Sequence, residues 1–154
     1  MSASDKATYA PAYSLNEMLR ANVSSVSNRV FPPGMREDAQ TPRITITPLT
    51  PTEKRVGIGE GWGSTKGLYY DYIFRVNVWD KDPSRLETVC GEVMHAVWKN
   101  RGYIPTDATN AALGQFINLE VKGGGEITQN AARQLYQRTL NIHGIWISKS
   151  VETW

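Results

Sequence analysis

The side chains that could do nucleophilic chemistry are few: the chain has one cysteine, Cys90, and two histidines, His95 and His143. Cys90 and His95 are five residues apart in a segment with helical periodicity, so they point about 140° apart around the helix axis. His143 lies in a strand-like segment and has no suitable partner next to it in the sequence. A hydrolase needs a nucleophile, a base and an orienting group within mutual reach. We therefore predict that the protein is not an enzyme.

Metal and cofactor sites are not expected either. One cysteine and two distant histidines are too few ligands for an ordinary zinc site. Asp80 and Asp82 flank Lys81, but the rest of a calcium loop is missing. Glycines at alternate positions of 57–63 are similar to a phosphate-binding loop, yet Trp62 stands where a dinucleotide fingerprint needs glycine. A strand pattern rather than a helix follows that loop, so no helix N-terminus is offered to a phosphate.

The composition is that of an ordinary globular domain, with 40% hydrophobic and 21% charged residues. The 17 basic and 15 acidic residues leave a net charge of +2, a small excess for a nucleic-acid-binding protein. Lys54, Arg55 and Lys66 lie near Trp62, so a nucleic-acid-binding module stays an alternative. Contact with passing DNA would be non-specific at most, through Lys54 and Arg55.

The absence of paired cysteines indicates a reducing compartment. The chain also lacks an apolar signal segment and any run of 18 apolar residues. We therefore expect synthesis in cytoplasm and no membrane partner.

The predicted organisation is an N-terminal arm at 1–13, a single domain at 14–148 and a C-terminal tail at 149–154. A capping-box pattern from Ser14 to Glu17 predicts a helix over about 15–27. Asp82 followed by Pro83 predicts a second helix, which ends at Gly102. Its predicted apolar stripe consists of Leu86, Val89, Cys90, Val93, Met94, Val97 and Trp98.

Period-two alternation predicts strands over 43–47, 68–79, 113–122 and 134–148. A long glycine-rich loop is predicted at 49–67. The element order lacks the βαβ alternation of parallel sheets. The predicted class is therefore α+β, with a mainly antiparallel β-sheet and two α-helices packed on one face.

The other face of the predicted sheet carries large apolar side chains that a lone domain would expose to water. We predict subunit contacts there, together with the glycine-rich loop. The predicted interface residues are Trp62, Lys66, Tyr69, Ile73, Trp79, Ile145 and Ile147.

The layout over 14–148 resembles that of the tail terminator, or tail-completion, proteins of long-tailed phages and related viruses. The segments that carry the resemblance are Arg29-Val-Phe31-Pro, the strand from Pro42 to Ile46, Ser64-Thr65-Lys66, and Tyr136 to Ile142. The step from Val76-Asn-Val-Trp79 into Asp80-Lys-Asp82-Pro83 is its most specific part.

This resemblance implies a structural virion protein that is assembled in the host cytoplasm and located in the tail or neck. It implies a homo-oligomeric ring, commonly a hexamer, at the head-proximal end of the tail tube. The ring would end tube polymerisation and join the tube to the head–tail connector proteins. Its partners would be further copies of itself, the tail tube protein and the connector. Another neck or head-completion component of the virion stays an alternative.

Overall fold

A computed structural model describes residues 3–26, 29–31, 40–48, 52–54, 68–106, 108–131 and 134–148. Most of the predicted loop 49–67 and the predicted tail 149–154 lie outside these residues. The division into arm, domain and tail stays a prediction.

The described residues form three helices and seven strands in the order α1, β1, β2, β3, β4, α2, α3, β5, β6, β7. The helices are α1 (Ala3–Asn22), α2 (Pro83–Lys99) and α3 (Ala108–Leu113). The strands are β1 (Val30–Phe31), β2 (Arg43–Pro48), β3 (Thr52–Lys54), β4 (Leu68–Asp80), β5 (Gly114–Gly124), β6 (Thr128–Asn130) and β7 (Leu135–Ser148).

All described strands join one sheet in the order β1-β2-β4-β7-β5, with β3 also paired to β4 and β6 to β7. Only β1 and β2 run parallel among these pairs; the others are antiparallel. The centre is the pairing of β4 with β7, which runs from Leu68↔Ser148 to Asp80↔Tyr136. The α+β class and the antiparallel character of the sheet are confirmed.

The core lies between the helices and one face of the sheet. Strand β4 buries alternate side chains from Tyr72 to Val78 there, and α2 covers them with one side of its surface. The buried side of α2 consists of Leu86, Val89, Cys90, Val93, Ala96 and Val97. Phe116 packs edge-on against Phe74 and against Trp146, with ring centroids 5.8 Å and 4.9 Å apart. Aromatic contacts therefore tie β4, β5 and β7 together under the helices.

Helix α1 begins at Ala3 and ends at Asn22, so the predicted span 15–27 is wrong at both ends. Alanines at 3, 7, 10 and 12 favour helix before Ser14, in spite of Pro11 within it. Glu17 does not close a capping box. Its carboxylate instead accepts hydrogen bonds from the Tyr103 hydroxyl at 3.1 Å and from Thr106.

The region before and within β5 also differs from the prediction. The sequence predicts a loop over 103–110, but α3 begins at Ala108 within it. Asn118 takes a positive φ of 57° at a break in the β5–β7 register. This irregularity places Ile117 opposite Ile145 on the far face, whereas Leu119 is buried in the core. The alternation predicts Leu113, Ile117, Leu119 and Val121 on one face of a strand; instead Leu113 ends α3, and Ile117 and Leu119 lie on opposite faces of β5.

The predicted apolar stripe of α2 was too wide. Met94 and Trp98 are exposed, at 37% and 63% of their surface. Successive residues turn by about 100° around a helix, so both side chains point away from the direction of Val93 and Val97. None of the described helices is long and apolar enough to cross a membrane.

Candidate subunit interface

The sheet surface that points away from the helices is called the outer face here. On β4 it consists of Asp71, Ile73, Arg75, Asn77 and Trp79, which alternate with the core residues. On β7 their antiparallel partners are Ile145, His143, Asn141, Thr139 and Gln137. Strand β5 adds Gln115, Ile117 and Glu120 through its pairing with β7.

Two of the predicted interface residues lie on this surface. Ile73 is 44% exposed, and its cross-strand partner on β7 is His143. Ile145 is half-buried between Asp71 on β4 and Ile117 on β5. Ile117 and Ile145 are thus direct cross-strand partners, whereas Ile73 lies diagonally from Ile145, with the contact between Asp71 and His143 crossing between them.

Two further predicted residues are buried and offer little surface to a partner. Ile147 is 3% exposed. Trp79 is 8% exposed, and its indole Nε1–H donates to Oγ1 of Thr45 at 3.1 Å. A buried tryptophan usually satisfies its N–H in this way, which makes Trp79 part of the fold's own packing.

The other predicted positions are defined only by the backbone or lie outside the described residues. Tyr69 pairs with Ile147 on β7 and with Lys54 on β3, but its side chain, like that of Lys54, is not described. Arg55, Trp62 and Lys66 lie outside the described residues. Their assignment to an interface or to a DNA-facing lumen stays a prediction.

A charged cluster that residue spacing alone does not predict lies beside Ile73. His143 lies between two carboxylates, with Nε2 3.4 Å from Oδ1 of Asp71 and Nδ1 3.5 Å from Oε1 of Glu120. Nζ of Lys122 is 3.3 Å from the same Glu120 oxygen. The hydrogen bond and the charge of Lys122 lower the pKa of Glu120, and His143 lowers it further. Desolvation raises this pKa, but its effect is smaller. The cluster spans β4, β7 and β5, so only the strand register brings its members together.

The neighbouring part of the outer face is polar and internally bonded. Oδ1 of Asn77 accepts hydrogen bonds from Nε2 of Gln137 at 2.9 Å and from Oγ1 of Thr139 at 2.6 Å. These bonds fix three side chains before any partner arrives. Such prior ordering reduces the entropy that a contact between subunits costs.

The described residues offer little means for catalysis. Cys90 is fully buried, and desolvation raises the pKa of its thiol, opposed by the charge and hydrogen bond of Arg138. The reactive thiolate is therefore disfavoured at neutral pH. Within the described ranges, no three His, Cys, Asp or Glu side chains are placed to hold a metal ion.

No protein-family model matches the chain, and neither does any curated protein. Among solved structures, the chain is similar to one from the virion of a native gene transfer agent particle, with a TM-score of 0.57 and 11% sequence identity. The match covers 87% of this chain and 91% of that one. At this identity the similarity shows a shared fold.

Proposed function

We propose that the chain is a structural virion protein, and that within the virion it is the tail terminator. The observation that carries this proposal is the fold shared over 87% of this chain and 91% of a chain from a gene transfer agent virion. Because the match takes in nearly the whole of both chains, it concerns the complete domain and not one common motif.

The outer face supports an assembly role. Three isoleucines, Ile73, Ile117 and Ile145, lie on this face and are interleaved with a charged cluster that has His143 at its centre. Apolar contact area with fixed polar groups around it is typical of protein interfaces. A ring of identical subunits uses such a surface against a different patch of the next copy.

The proposed role is to end tail tube polymerisation from a ring at the head-proximal end and to join the tube to the connector. The test is to polymerise the tail tube protein with increasing amounts of this chain and to measure tube lengths by electron microscopy. We expect shorter tubes as the chain increases, with extra density at one end. An unrelated protein of similar size is the control.

Unchanged tube lengths and bare tube ends would contradict the terminator role. If the chain is found in particles at the head side of the neck, it is a head-completion component instead. The shared fold with a virion chain supports this second candidate as well, because it carries no information on position.

A further inference from the structure

Helix α2 presents a second apolar surface to solvent. The α2 flank consists of Glu87, Gly91, Met94 and Trp98, which recur at three- and four-residue steps and so lie along one side of the helix. Glu92, which accepts a hydrogen bond from Ser25 at 2.8 Å, lies on the opposite side. The flank therefore faces away from the α1 end of the domain.

Gly91 lies in the middle of this flank, and a Cβ placed on it would meet nothing within 4 Å. Glycine inside an exposed helix costs about 1 kcal/mol relative to alanine. Nothing described in the chain itself requires this glycine. Because Gly91 has no side chain, there is a shallow depression beside Met94 and Trp98. Another protein surface can approach the helix backbone there.

Charge along the exposed side of α2 changes sign from its start to its end. Glu87 is exposed near the start of the helix; Lys99 is exposed at its last residue, about 100° around the axis from Trp98, and Arg101 is exposed just beyond it. The apolar pair Met94 and Trp98 lies between these charges. The order along the helix is thus negative, apolar, positive, over about 18 Å from Glu87 to Lys99.

The outer face carries the same order along β4. Asp71, Ile73 and Arg75 alternate on that face, which gives negative, apolar and positive positions over about 13 Å. Neither Arg75 nor Glu87 makes an ion pair with another described residue. If α2 of one copy lies antiparallel to β4 of another, Glu87 faces Arg75 and the apolar pair Met94 and Trp98 lies over Ile73.

We infer that the α2 flank of one copy docks on the outer face of the next copy. Met94 and Trp98 then cover Ile73, while Glu87 faces Arg75. This inference rests on the proposed assembly function and names the partner as a second copy of the chain. Helix α2 lies on the core side of the sheet, so the two surfaces are on opposite sides of the subunit. Such a contact is heterologous, and repeated copies make a ring if the rotation closes.

The other charged groups near the contact are Glu120, Lys122 and His143 on the sheet and His95 on the helix. Glu120 and Lys122 lie 3.3 Å apart and largely neutralise each other. His95 stacks against Trp98, with ring centroids 6.1 Å apart. Asp71 is 14% exposed and lies 3.4 Å from His143, so it is already engaged within its own subunit, and the charge contact across the interface is that of Glu87 with Arg75.

Cysteine cross-linking tests this contact. Trp98→Cys and Ile73→Cys are made as separate chains, and the buried Cys90 stays in place. The chains are assembled on tail tubes alone or mixed and treated with a short bismaleimide. We expect covalent dimers only in the mixture, and a ladder of higher species from a chain with both substitutions. The matched control replaces Ile73→Cys by Glu126→Cys, at an exposed position on the β5–β6 turn.

A charge reversal provides the second measurement. Arg75→Glu places two acidic side chains opposite each other and should weaken association between copies about tenfold. Adding Glu87→Arg to the same chain should restore it. If Arg75→Glu weakened association by disturbing the fold, adding Glu87→Arg would not restore association.

The outcomes separate this inference from the proposed function. If the chain forms rings or caps tubes, but cross-links equally through Glu126→Cys or through either single cysteine alone, the inferred contact is wrong and the proposed function stands. Failure of Glu87→Arg to restore Arg75→Glu also overturns it. If the chain neither associates nor binds tubes under any condition, the proposed function fails, and the inferred contact fails with it.

Discussion

Gly144 lies in a closely packed part of the core, between the sheet and the helices. A Cβ on Gly144 would lie 2.6 Å from Cδ2 of Leu119 and 3.1 Å from a ring carbon of Phe116. We expect Gly144→Ala to destabilise the fold by about 1–3 kcal/mol, because these neighbours must shift. Urea unfolding measures the change. The matched control is Gly125→Ala, where a Cβ would meet nothing within 4 Å; an equal loss in both variants would contradict the packing argument.

Asp80 ends β4 in a fully buried position at the start of α2. Burial alone would raise the pKa of Asp80. Hydrogen bonds from Nε and Nη2 of Arg85, both at 2.6 Å, and from the backbone amides of Asp82 and Lys81 together have a larger effect in the opposite direction. The pKa of Asp80 is therefore held below its ordinary value. The stabilisation is present above the unfolded pKa of about 4 and is lost as pH falls through the lower folded value.

We expect Asp80→Asn to cost about 1–3 kcal/mol at neutral pH, because it leaves donors around a buried site poorly satisfied. The difference from the unsubstituted chain should shrink as pH falls below about 4, where the unfolded carboxylate takes up a proton, and should be smallest below the lower folded pKa, where the native carboxylate is protonated too. Denaturant unfolding at a series of pH values measures it, with Glu126→Gln as an exposed control. A difference that stays constant down to acid pH would show that the charge of Asp80 contributes nothing.

At the scale of elements, α2 has one side that holds the fold and another that is available to a partner. Leu86→Ala on the buried side should cost about 2–5 kcal/mol through lost burial and a cavity. Trp98→Ser on the α2 flank should change the stability of the dilute chain by no more than about 0.5 kcal/mol. Urea unfolding at low protein concentration checks both. A large loss from Trp98→Ser would mean that this side chain supports the fold.

The same helix shows what the sequence could predict. Asp82, Pro83 and a regular apolar repeat are local signals, so the existence and first residue of α2 were predictable, as were β4 and β7 from their alternation. The helix ends at Lys99, three residues before the predicted end at Gly102. Local patterns do not say how wide a side of the helix the sheet covers, so Met94 was assigned to the core. The cluster around His143 depends on the pairing of three strands and on the register break at Asn118. Neither can be derived from residue spacing alone.

At the scale of the whole molecule, the chain combines a single α+β fold with apolar surface on both sides of its sheet. A lone soluble domain gains nothing from exposing Ile73 on one side and Trp98 on the other. Within a ring, both surfaces are covered by neighbouring copies. The shared fold with a chain of a gene transfer agent virion is consistent with that context.

The most direct test of the central claim is to image intact particles by cryo-electron microscopy with this subunit labelled. The account predicts a closed ring of copies at the junction of the tail tube with the head, with α2 of each copy against the sheet of the next. Particles that lack the label altogether, or carry it as isolated single copies, would contradict the account.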